Sequence, residues 1–140
     1  MKNELTRTKS LFYSMYALKP MLLTAEVAKR YGVDLYRYSV QNKNLQLALD
    51  FHVPYIVNPS SWPYPQVSAF DFFGVGIYEM AFTELQKSPY ENVVNSRQRP
   101  IKDWQVASYI TLTHGRSDHI SPVSGTRPVA PNSLAVAVGP

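Results

Sequence analysis

The chain has no cysteine, which excludes disulfides and thiolate metal sites. It has no run of about 18 apolar residues, the length a membrane-spanning helix needs. Its first ten residues, MKNELTRTKS, lack the apolar core of a signal peptide. Charge is sparse: 14 Lys and Arg and 10 Asp and Glu among 140 residues. The resulting net charge of +4 favours anionic partners in general. The basic residues are spread along the chain, without the dense patch of a nucleic-acid binder. The three histidines, His52, His114 and His119, share no helix face, and no HExxH spacing occurs. Neither a metal nor a cofactor is expected, and neither a nucleic acid nor a membrane is expected as partner.

Aromatic rings are abundant: 13% of residues, with ten tyrosines. Such a surface suits carbohydrates, because flat rings stack on sugar faces. The length fits one small domain. Apolar periodicity predicts a first helix from about Thr8 or Ser10 to Tyr31, closed by Gly32 and kinked or restarted at Pro20. VDLYRYS, residues 33–39, reads as a turn or short extended segment. A second helix fits 43–53, limited by Pro54. NPSSWPYPQ, residues 58–66, reads as an ordered loop. A third helix fits 67–87, with Phe70, Phe73, Ile77, Met80 and Leu85 on one side and GVG weakening its middle. A fourth fits 101–112. From residue 114 onward Gly, Ser and Pro dominate, and the segment reads as a disordered or loosely attached tail.

The stretch ELTRTKSLFYSMYAL, residues 4–18, concentrates the chemistry. Leu11, Met15, Leu18 and Leu22 fall within about 60° of one another on a helical wheel, a core-facing stripe. Tyr13 lies roughly opposite, with Lys9 and Tyr16 within about 60° of it. Such a face is either solvated or lines a cleft with a phenol aimed at a ligand. Arg7 joins that face only if the helix begins after it; otherwise it pairs with Glu4.

ELTRTKSLFYSMYAL, then YGVDLYRY, ALDFHVPYI and WPYPQV in that order, resemble the C-terminal part of the alginate lyase family, over about residues 3–90. The resemblance implies an all-α fold in which antiparallel helix pairs form part of an incomplete (α/α) toroid. Residues 1–113 would be the C-terminal segment of that domain, with 114–140 an irregular tail. It implies a polysaccharide lyase, or a fragment of one, that cleaves an acidic uronate polymer such as alginate by β-elimination. Tyr13 would be the general base and acid, with Arg7 near the substrate carboxylate. Lys9, Tyr16, Trp62 and Tyr64 would bind substrate, Trp62 and Tyr64 as a stacking wall or as loop packing. Tyr36, Tyr38 and His52 read as packing residues.

The family's upstream Asn-His pair has no counterpart, since no Asn-His dipeptide occurs here. The chain therefore reads as a C-terminal fragment or truncated product, with helix faces left uncovered for self-association. Family likeness would place it in the periplasm or outside the cell. The alternative is a non-catalytic helical module that binds acidic polysaccharide or a protein. A glycoside hydrolase would want two carboxylates facing one site, and no such pair is evident.

Overall fold

The computed structural model describes residues 3–98, 100–101 and 110–115. The chain is all-α, and the described residues form α1 (Ser10–Arg30), α2 (Leu45–Val57), α3 (Ile77–Leu85), α4 (Ser88–Asn95) and α5 (Ile110–His114), with a 3-10 turn at Pro59–Ser61. Among the described residues extended pairing is limited to two isolated bridges, Lys9 with Gln66 and Val40 with Lys43. Most of the expected fourth helix and the tail beyond residue 115 lie outside the described residues.

Helix α1 buries the stripe that its sequence presents: Leu11, Met15, Leu18 and Leu22 are fully enclosed. It ends as Gly32 predicts. Gly32 takes φ +79°, with Gly32 N–H donating to Lys29 O and Val33 N–H to Ala28 O, the paired bonds of a Schellman cap. The expected break at Pro20 is absent, and α1 runs unbroken through it. Pro20 is exposed, so its ring and missing N–H disturb only the solvent side of the helix.

The same correction applies to α2, which passes the exposed Pro54 and reaches Val57. The Asn44 side chain caps its start, accepting the Leu47 N–H at 2.8 Å. Its inner face carries Leu45, Leu49, His52 and Ile56.

The expected helix over 67–87 is half loop. Helix begins only at Ile77, because Phe72 and Gly74 take positive φ, +60° and +76°. Gly74 also lies against α1: a Cβ there would sit 3.4 Å from Met15 Cβ and Met15 O. Phe70, Phe73, Ile77 and Met80 are nonetheless all buried. The apolar spacing marked core positions and not a helix. Pro89 does not merely follow α3; it occupies the first turn of α4, where a missing N–H costs nothing.

A polar clasp joins α2 to the start of α4. Lys87 Nζ lies 2.7 Å from Asp50 Oδ2, and Tyr90 donates to Asp50 Oδ1 at 2.6 Å. Burial alone would raise the Asp50 carboxyl, but the bonds from Lys87 and Tyr90 outweigh it and hold it below its ordinary value. A folded pKa below the unfolded value of about 3.9 gives stability that is complete above that pH. That stability is lost as pH falls through the folded value. Acid titration of thermal stability should show a loss beginning below about pH 4 that Asp50→Asn flattens; an unchanged acid limb would exclude the clasp as its source.

Candidate functional site

Residues 4–9 are irregular, so Arg7 precedes α1 rather than riding on its apolar side. The chain turns on itself there, with Arg7 N–H donating to Glu4 O at 3.2 Å. The Arg7 guanidinium makes two contacts. Its Nε pairs with Glu4 at 3.0 Å, while its Cζ sits 4.5 Å from the centroid of the Tyr13 ring. Tyr13 is half-buried on α1, and Lys9 is exposed at the N-cap position. A guanidinium thus lies on the face of a partly accessible phenol.

The WPYPQ loop fixes this geometry. The N-cap position falls on Lys9, and no side chain of the local segment caps α1. The cap comes from 55 residues away: Gln66 Oε1 accepts the Leu11 N–H at 3.1 Å. Ser10 N–H and Ser10 Oγ both donate to Pro65 O, at 3.0 and 2.6 Å, and Val67 N–H donates to Thr8 O at 2.9 Å. Trp62 Nε1 donates to Ser10 Oγ at 2.7 Å. Gln66→Ala should lower stability by about 1 kcal/mol, the usual worth of an N-cap, while Gln66→Glu keeps the acceptor; denaturant melts of the two variants check this.

The candidate rings do not share one wall. Trp62 is 8% exposed and packed among Phe51, His52, Tyr55 and Tyr64. Its face is closed to a sugar, which corrects the expectation of a stacking surface there. Tyr64 remains 37% exposed and lines a groove of about 790 Å³ with Leu5, Tyr38, Lys43, Leu47 and Phe51. Tyr38 is therefore an exposed groove residue rather than a packing one, whereas Tyr36 is buried as expected.

Tyr16 lies elsewhere. It is 46% exposed, near-parallel to Phe73 at 5.9 Å and to Phe12 at 6.4 Å. It lines a second cavity of about 440 Å³ with Lys19, Pro20, Leu23, Thr24 and Phe73. Phe12 meets the Tyr13 ring edge-on at 5.5 Å. Tyr13 and Arg7 line neither cavity; they sit one helical turn before Tyr16.

The other polar rings are committed to structure. Burial pushes the phenols of Tyr36, Tyr78 and Tyr90 upward and keeps them protonated. They donate to Glu26, Leu49 O and Asp50 respectively. Burial lowers the His52 imidazole and keeps it neutral, with Nδ1 2.7 Å from Ala48 O. Tyr13 differs from these phenols in being partly open.

The alginate lyase family model matches residues 1–62, a span that holds Arg7, Lys9, Tyr13, Tyr16 and Trp62 and stops before Tyr64 and Gln66. Among solved structures the chain is similar to an alginate lyase from Bacteroides ovatus, at 26% identity and a TM-score of 0.65. That likeness covers 83% of this chain and 30% of the other. The chain thus spans less than a third of that lyase's length. No curated protein matches it. The resemblance read from the sequence is borne out by the family match and by the structural likeness, which extends well past residue 62.

Proposed function

We propose that this chain forms the tyrosine-bearing part of a polysaccharide lyase and belongs to an incomplete (α/α) toroid. Its substrate would be an acidic uronate polymer such as alginate. The observation that carries the reading is the Arg7 guanidinium 4.5 Å over the half-buried Tyr13 ring, in a segment matched by the alginate lyase family model.

The chemistry calls for this pairing. In β-elimination a base takes the proton from C5 of a 4-linked uronate, a C4–C5 double bond forms, and the C4–O bond breaks. The C5 proton is a weak acid while the adjoining carboxylate is charged, so a cation or amide must take up charge as it develops. Arg7 supplies a cation beside Tyr13. Tyr13, acting as its phenolate, would accept the C5 proton and then hand that proton to the departing oxygen. Lys9 and Tyr16 would hold the flanking substrate, and Tyr64 would serve the larger groove. Trp62 holds the loop.

A second reading has its own support. The exposed rings of Tyr38 and Tyr64 along the groove of about 790 Å³ favour a helical module that binds acidic polysaccharide without cleaving it. An alginate digest separates the two: a lyase leaves unsaturated uronate ends that absorb in the ultraviolet. Binding with no chromophore would establish the second reading over the first.

A further inference from the structure

Glu4 stands at one edge of the Arg7 guanidinium, on a turn that is itself pinned. Thr6 Oγ1 donates to Asn3 O at 3.0 Å, Arg7 N–H donates to Glu4 O at 3.2 Å, and Leu5 packs against the hydrophobic core. The Glu4 side chain is 24% exposed and that of Arg7 52%. The carboxylate is therefore the anchored member of the pair, and the guanidinium is the one with freedom to lose.

A guanidinium is a planar fork, with one N–H edge at Nε and another across Nη1 and Nη2. Glu4 Oε2 takes the first edge, 3.0 Å from Nε. The Tyr13 ring takes one face, 4.5 Å from Cζ. Among the described residues no hydrogen bond reaches Nη1 or Nη2 of Arg7. The cation is thus held at one edge and on one face, and the edge that can grip a carboxylate through two contacts is left open. An ion pair this exposed adds little to stability, and its carboxylate weakens the pull of Arg7 on any anion. What it supplies is orientation. A free arginine side chain loses rotamer freedom when it grips a ligand; one already held does not.

We propose that Glu4 is a positioning residue, which holds Arg7 on the Tyr13 ring with its Nη edge turned outward to take a uronate carboxylate. Glu4 itself touches no substrate. The proposal rests on the uronate-polymer reading above and adds the group that orients its cation.

Charge and orientation predict opposite signs for Glu4→Ala. The change removes a negative charge beside an anion site, which by charge alone would tighten binding of an alginate hexasaccharide. Loss of orientation weakens it, by about twofold to tenfold, the usual cost of ordering one side chain on binding. Calorimetric titration of the full chain should show that weakening. Glu4→Gln, which keeps the length and an oxygen to face Nε, should recover part of it. Glu4→Ala made on top of Arg7→Ala should weaken binding no further, because a positioning residue acts only through the group it holds. A weakening that persists without Arg7, or binding unchanged or tighter in Glu4→Ala, overturns the role of Glu4. If Arg7→Ala alone weakens binding in either case, the uronate reading survives. If wild type fails to bind the hexasaccharide, or Arg7→Ala leaves binding unchanged, both fall together.

Discussion

Tyr13→Phe is expected to abolish formation of unsaturated uronate ends while leaving fold and sugar binding in place. Phenylalanine keeps the ring, so the contact with Arg7 and the edge-on contact with Phe12 at 5.5 Å survive. Only the hydroxyl is lost. General acid–base catalysis by one group is worth about 10²–10⁴-fold in rate, and here a single phenol is assigned both proton transfers. The loss should therefore reach at least about 10²-fold in kcat, with the binding constant for an alginate oligosaccharide little changed. The readout is the ultraviolet absorbance of the product, from the chain in whatever assembly shows wild-type activity. A variant that keeps wild-type turnover would remove Tyr13 from the chemistry.

Trp62→Ala is expected to act on stability rather than on substrate. The indole is enclosed by four aromatic neighbours and donates to Ser10 Oγ. Truncating such a ring typically costs about 3–5 kcal/mol, because the cavity collapses only in part. It also releases the loop that caps α1, so the irregular segment bearing Arg7 should lose its register with Tyr13. A sugar-stacking tryptophan would behave differently: affinity would fall and the melting temperature would hold. Thermal unfolding of the variant, with Tyr64→Ala as the exposed comparison, separates the two roles.

The inner stripe of α1 and its Gly32 terminus were legible from local pattern, because burial of four aliphatic residues and a positive φ at glycine are locally decided. The prolines were not. An interior proline costs about 3 kcal/mol in an isolated helix, yet Pro20 and Pro54 both lie on exposed faces of helices held by tertiary packing. Which face a proline occupies is clear from the wheel; whether packing outweighs its cost is not. Residues 67–76 misled for a related reason. Phe70, Phe73 and Ile77 recur at helical spacing and are all buried, but the chain delivers the two phenylalanines from a loop with two positive φ values.

The candidate site was legible in part. The wheel places Tyr13 opposite the core stripe, and the need for an irregular segment before α1 follows from placing Arg7 with it. The Gln66 cap left no trace in the local sequence, because its partner lies 55 residues away. Trp62 and Tyr64 are two residues apart in one proline-rich loop. Strict alternation would put both on one side; the irregular loop encloses Trp62 and leaves Tyr64 open, and composition does not say which.

The account rests on an acidic sugar chain meeting the Arg7–Tyr13 pair at the start of α1. Nuclear magnetic resonance of ring-labelled tyrosine, with the Tyr13 signal assigned from its absence in Tyr13→Phe, tests that directly. Titration with an alginate oligosaccharide should shift the Tyr13 ring resonances and leave those of buried Tyr78 and Tyr90 in place. A Tyr13 signal that stays fixed at saturating sugar would contradict the account.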